Sequence, residues 1–265
     1  MNLGCHAVLF GNRIKTDTDN ILKNLAKTGF AGIEAGFRFF GDNVSALAEA
    51  LDKQGLMLSG FHIGVKFNQF LAEPEKTGDF LYHIADKIRE IPEKVMPLKN
   101  IVMSASFENL PDDSLPEENL RTLEEASVNL DEIASNLKRQ GVIINYHNHA
   151  LEFSDGGVIY QVLRDHVPNM NFAFDLGWVE AGGGDIETVL KETAGRVWYV
   201  HLRDVAPDRK DFADLGKGIS DLPKIISLVK EAVPGEGWLV VEYETGEQDF
   251  DRYTRARDYL RELGW

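Results

Sequence analysis

Short apolar runs alternate with longer segments of helical periodicity along nearly the whole chain, and glycine or capping chemistry marks most of the changes of period. Leu3 to Phe10 reads as a strand. Asp17 to Thr28 then sets Ile21, Leu22, Leu25 and Ala26 at helical spacing before Gly29 stops it. The unit recurs as strand Ala31 to Gly36 with helix Asn43 to Gln54 closed by Gly55, strand Leu56 to Ile63 with helix Gly78 to Ile91, and strand Asn100 to Ser104 with helix Glu117 to Gln140 stopped by Gly141. A fifth strand lies in the stretch Ile143 to Phe153. Helix Val158 to Asp165, strand Asn171 to Asp175, helix Ile186 to Thr193, strand Val197 to His201, helix Leu222 to Ala232, strand Trp238 to Glu242 and a last helix near Phe250 to Glu262 complete the pattern.

Eight strands and eight helices without a Pro- or Ser-rich linker predict a closed parallel (β/α)8 TIM barrel, one domain over residues 1–265. An open doubly wound sheet fits less well, because the first strand leads into Phe10-Gly11-Asn12-Arg13 and not into a GxGxxG turn. The run Gly182-Gly183-Gly184 reads as a flexible loop before a helix capped by Asp185. A chain of 265 residues that is 43% hydrophobic can bury the core such a barrel needs. No apolar run approaches roughly 18 residues and the N-terminus carries no signal-peptide pattern, so a cytoplasmic protein is expected. The lone cysteine, Cys5, is expected as a buried thiol. A net charge of -15 disfavours nucleic acid and anionic membranes as partners, since both select for clustered Lys and Arg.

The polar residues fall in a pattern that the barrel makes meaningful. Phe172-Ala173-Phe174 ends in Asp175, Val197-Trp198-Tyr199-Val200 in His201, Trp238-Leu239-Val240-Val241 in Glu242, and the fifth strand in His147. Four consecutive strands thus each finish on one residue able to bind a metal, at intervals of 28, 26 and 41 residues. Neighbouring strands lie about 4.8 Å apart, so these four ends can aim at one point on the barrel face that carries the chemistry. Two imidazoles and two carboxylates match one divalent cation, and mixed nitrogen and oxygen donors suit Zn, Mn, Fe or Co better than Mg or Ca. The bland alternative has Asp175 capping a loop, His201 pairing with Asp204, and Glu242 meeting an arginine. His149 follows His147 at strand spacing and is expected on the same face.

Taken in order, Gly32-Ile33-Glu34, Tyr146-His147-Asn148-His149 through Glu152-Phe153, Phe174-Asp175-Leu176-Gly177-Trp178, Val200-His201-Leu202-Arg203-Asp204, Leu215-Gly216-Lys217-Gly218 and Val241-Glu242 resemble the xylose isomerase-like TIM barrel superfamily. That superfamily comprises sugar phosphate isomerases and epimerases, inosose dehydratases and endonuclease IV-type enzymes. The resemblance implies a barrel in which strands five to eight hold one divalent ion, with Asp175, His201 and Glu242 matching the family's Asp, His and second Glu. Strand five departs from the common pattern: His147 stands where a glutamate is usual, and Glu152 is the alternative fourth ligand.

Such an ion would polarise a ketose or polyol-ketone carbonyl and stabilise the enediolate formed on proton loss. The expected activity is a metal-dependent sugar, sugar-phosphate or polyol-ketone isomerase or epimerase. A keto-inositol or keto-sugar dehydratase is the alternative, a non-catalytic sugar-binding barrel the reading of another class, and a DNA endonuclease is disfavoured by the charge. His149, Glu152 and Glu242 are the expected proton carriers. Glu34, His62, Trp178 and Arg203 are expected to bind substrate, with Asp204 orienting its loop. His6, His83 and His166 carry no partner pattern and are read as structural or surface residues. The loop Lys66 to Thr77 and the end of the chain at Trp265 are candidate surfaces for a homo-oligomer.

Overall fold

The computed structural model describes residues 1–41, 43–106 and 117–265. Strands β1 (Asn2–His6), β2 (Gly32–Gly36), β3 (Met57–Lys66), β4 (Lys99–Ser106), β5 (Val142–His147), β6 (Asn171–Asp175), β7 (Val197–Leu202) and β8 (Trp238–Val241) form a closed parallel barrel. Each pairs with its sequence neighbours, and β8 returns to β1 with Asn2 opposite Trp238 and Cys5 opposite Val241. Helices α1 (Thr18–Lys27), α2 (Val44–Gln54), α3 (Pro74–Arg89), α4 (Glu117–Arg139), α5 (Val158–His166), α6 (Ile186–Glu192), α7 (Leu222–Ala232) and α8 (Phe250–Glu262) follow the strands in turn. Each buries an apolar stripe, such as Leu123, Ala126, Leu130, Ile133 and Leu137 on α4. No described helix is long and apolar enough to cross a membrane.

Within the barrel, Val102, Ala173, Tyr199, Trp238 and Val240 pack as a cluster of their own. Trp238 fits because glycines stand beside it: a Cβ on Gly32 would lie 2.9 Å from Trp238 Cη2 and 2.4 Å from the Met57 carbonyl oxygen. The indole therefore fills the interior and makes it a packed core, not a pore. Tyr199 sends its hydroxyl from this apolar layer into the polar layer above, where it donates to Glu34. A register shift between Ile33 and Glu34 brings Glu34 opposite Gly60.

Several element ends differ from the expectation. β1 stops at His6 because Ala7–Phe10 turns into a 3-10 helix, with Nδ1 of His6 accepting the Val8 N–H at 2.9 Å. β5 stops at His147, so His149 sits on the following loop and not on the strand. The segment expected as loop from Lys66 contains a short helix, Phe67–Ala72, with Phe67 and Phe70 buried, and α3 already begins at Pro74. Trp265 also folds back on its own chain, under Lys230. Gly182 and Gly184 are required for packing and not for flexibility: a Cβ on Gly182 would lie 2.4 Å from the Ala150 oxygen, and one on Gly184 2.8 Å from the Phe153 ring. Asp185 caps α6 as expected, accepting the Thr188 N–H at 2.8 Å.

Candidate metal centre

The ends of β5 to β8 bring His147, Asp175, His201 and Glu242 together, with one donor atom of each within 4.8 Å of the others and all four side chains buried. The rings of His147 and His201 lie 4.5 Å apart between centroids. Asp175 is both cap and cluster member: Oδ1 accepts the Trp178 N–H at 3.0 Å, while Oδ2 accepts from Arg203 Nε at 2.6 Å. Gly177 permits this, since a Cβ there would stand 2.8 Å from Arg203 Cβ and 2.7 Å from the Phe212 ring. Glu242 does meet an arginine, through Oε1 and Arg203 Nη2 at 2.7 Å. Asp204 turns away from His201 and accepts the N–H groups of Gly216, Gly218 and Ser220, which orients the Leu215–Gly218 loop.

A second polar group adjoins the first from β1 to β3. Glu34 is fully buried, and its carboxylate has four neighbours: His201 Nε2 and Tyr199 OH, both 2.6 Å from Oε2, and His62 Nδ1 and His6 Nε2, at 2.8 and 3.0 Å from Oε1. Ser104 Oγ lies 3.0 Å from His62 Nε2.

The charges at this end of the barrel follow from burial and proximity. Burial alone would raise the Glu34 carboxyl, but the pull of His201 and His6 holds it well below the usual carboxylate range. Glu242 is likewise held low against burial, chiefly by Arg203. Burial raises Asp175 to about 6 despite Arg203. Burial, reinforced by the charge of His201, keeps His147 neutral, and burial lowers His149 to about 4. His201 goes the other way: Glu34 and Glu242 overcome burial and lift it to about 10.

The donor set fits a divalent cation. Nδ1 of His147, Nδ1 of His201 and Oε2 of Glu242 are buried without a hydrogen-bond partner. His201 Nδ1 and Glu242 Oε2 face each other 2.9 Å apart, and no third group takes up either atom. Burying polar atoms unsatisfied is costly, and a cation coordinated by all of them removes that cost.

Beside this cluster opens a cavity of about 540 Å³. His6, His62, His147, His149, Glu242 and Glu244 supply polar groups to its wall, and Phe37, Phe39 and Phe80 an apolar side. Of the expected proton carriers, His149 and Glu242 line it. Glu152 does not; it is buried behind them, accepting from the Tyr146 hydroxyl and the His149 N–H, both at 2.9 Å. Of the expected substrate-binding residues only His62 lines the cavity. Glu34 and Arg203 lie beneath the mouth, fully engaged by their partners, and the Trp178 ring packs edge-on to Phe212 at 4.6 Å. Sequence reasoning missed His6, Tyr199, Ser104 and the exposed Arg38, which also lines the cavity. For His6 the signal was hidden, because the apolar run continues to Phe10 and reads as strand, whereas β1 ends at His6.

A family model described as xylose isomerase-like TIM barrel matches residues 22–263. The chain is 25% identical over 274 residues to an inosose dehydratase of Geobacillus thermodenitrificans (strain NG80-2), which covers 92% of this chain and 89% of the relative. Among solved structures, an L-ribulose 3-epimerase superposes with a TM-score of 0.77 at 14% identity, over 99% of this chain and 94% of its own. A sugar phosphate isomerase/epimerase from Parabacteroides distasonis gives 0.71 at 20% identity, over 98% and 93%. These two structural likenesses establish the shared fold.

Proposed function

Because the chain belongs to the xylose isomerase-like TIM barrel family, we propose that it is a metal-dependent enzyme that moves a proton next to the carbonyl of a keto-sugar or polyol ketone, as an isomerase or epimerase. The observation carrying this reading is the convergence of four buried strand-end donors, three with orphaned atoms, beside a cavity that His147, Glu242 and His149 line. His147, Asp175, His201 and Glu242 would hold the cation. When bound, it would supply Lewis acidity, polarising the substrate carbonyl and lowering the acidity barrier of the neighbouring C–H bond.

The chain's own groups supply the rest. His149, neutral because it is buried, can accept a proton at the cavity wall. Glu242, held ionised beside Arg203, is a second acceptor on the same wall. Glu152 supports His149 from behind by accepting its backbone N–H, and carries a proton of its own at neutral pH because burial raises it to about 8. His62 presents its ring from the β3 side. Proton acceptors on one wall and the His62 ring on another suit epimerisation, where the proton leaves one face and returns to the other. Phe37 and Phe39 offer apolar surface to the C–H faces of a sugar ring, in a cavity large enough for one small carbohydrate.

Dehydration of a keto-inositol is the second reading, favoured by the likeness to inosose dehydratases over 92% of the chain. It needs the same proton abstraction followed by loss of a β-hydroxyl, with a protonated group as acid. The test is incubation with ketoses and keto-inositols in deuterated water with Mn²⁺ or Zn²⁺, followed by NMR. Deuterium at the carbon beside the carbonyl, lost in His147→Ala, supports both readings, and growth of a conjugated-enone absorbance selects the dehydratase. A folded, metal-loaded protein that exchanges no substrate proton and forms no product overturns them.

A further inference from the structure

We infer that Glu34 is a positioning residue that keeps a proton on Nε2 of His201, so that Nδ1 is the nitrogen that loses its proton and faces the cation. An ionised carboxylate accepts hydrogen bonds and cannot donate them. Tyr199 O–H donates to Oε2, and His201 Nε2 lies 2.6 Å from the same oxygen; His62 Nδ1 and His6 Nε2 lie at Oε1 and 3.3 Å from each other. His6 accepts the Val8 N–H at Nδ1, so its proton sits on Nε2, which faces Glu34 Oε1 and His62 Nδ1.

The same reasoning decides between two candidate cation sites. His6, Glu34 and His62 also lie close enough to hold a metal. There, however, the nitrogen of His6 that would ligate carries the proton, and Glu34 is already saturated by donors. On the other side of His201, Nδ1 faces only Glu242 Oε2, 2.9 Å away. Glu34 thus stands behind His201 as the outer partner of a carboxylate–histidine–metal arrangement, fixing ring orientation and tautomer together. Tyr199, from the apolar cluster below, donates to the same carboxylate oxygen.

The inference rests on the metal reading of the four-residue cluster, and its test separates the two. Zinc affinity is measured by chelator competition for the wild type, Glu34→Gln and Tyr199→Phe, with circular dichroism as a folding check. Long-range ¹H–¹⁵N spectra of the zinc-loaded wild type, with His201 assigned by its loss in His201→Ala, report which ring nitrogen carries the proton. The glutamine amide offers one acceptor oxygen and turns N–H donors toward existing donors, so Glu34→Gln should bind zinc about 10- to 100-fold more weakly. Tyr199→Phe leaves the His201 contact in place and should stay within about threefold of the wild type. In the wild type the His201 proton should be on Nε2, with Nδ1 shifted as a metal-bound nitrogen. A proton on Nδ1 overturns the inference, as does a folded Glu34→Gln with wild-type affinity; if that variant does not fold, the wild-type spectrum decides alone. A wild type that takes up no zinc overturns the metal reading and this inference together.

Discussion

Arg203 donates from Nε to Asp175 Oδ2 at 2.6 Å with both side chains buried, and its Nη2 lies 2.7 Å from Glu242 Oε1 and Glu244 Oε1. One guanidinium therefore neutralises two of the four strand-end donors. Removing one partner of a buried ion pair typically costs about 3–5 kcal/mol, because the other charge is left unpaired. Arg203→Met should lower the melting temperature by roughly 10 °C in the chelator-treated protein. A divalent cation supplies the missing charge, so added zinc should stabilise this variant more than the wild type. Equal melting temperatures for chelated wild type and variant would count against the charge-pairing account.

The barrel was legible because alternation of strand and helix leaves a long-range signature, and the bounds of β6 and α7 match the reading residue for residue. The four strand ends were legible for the same reason: an apolar run that stops on an ionisable residue locates that residue at the mouth. What escaped depends on packing across the barrel. Glu34 and Arg203 look like mouth residues from their position after apolar runs, but both are drawn inward by opposite charges contributed from strands distant in sequence. His6 looked isolated because its partners, Glu34 and His62, are 28 and 56 residues away. Arg38 sits on a four-residue helix after β2 that no periodicity announces.

Cation binding should be visible as stability before any substrate is known. A ligand at about 100 times its Kd stabilises the folded state by about 2.7 kcal/mol, several degrees in melting temperature for a chain of this size. Titrating chelator-treated protein with Zn²⁺ or Mn²⁺ should raise the wild-type midpoint by that order. His147→Ala should abolish most of the rise, since its Nδ1 is one of the orphaned donors. His166→Ala, which alters an exposed histidine on α5, should keep it. An unchanged response in His147→Ala would place the fourth ligand elsewhere.

Gly64 sets the space available over His62. It lies two residues further along β3, lines the cavity, pairs with Ser104 across the sheet, and a Cβ built on it meets nothing within 4 Å. A side chain there occupies substrate volume without disturbing packing. Gly64→Leu should leave zinc uptake intact and change stability by no more than about 0.5 kcal/mol, as for surface substitutions. Steady-state kinetics should show KM for a hexose-sized ketone rising about tenfold or more, the effect of a lost 1.4 kcal/mol. Wild-type KM values across a size series of ketoses would show that substrate does not pass this wall.

Glu152 should give the fold a measurable dependence on pH. Burial outweighs the two donors at its carboxylate and raises it to about 8. In the unfolded chain a glutamate ionises near about 4.3, so between these values unfolding releases a proton. The stability contributed by the protonated group is then complete below about pH 4 and is lost as pH rises through about 8, up to an upper limit of about 5 kcal/mol. Glu152→Gln, which cannot ionise, should lack this fall. Urea unfolding of both proteins at pH 5, 6, 7 and 8 gives the comparison, and the difference between them should move by about 2 kcal/mol or more across the series, the wild type losing ground as pH rises. Parallel curves would mean that Glu152 is already ionised in the folded state and that its two donors, Tyr146 and the His149 amide, outweigh its burial.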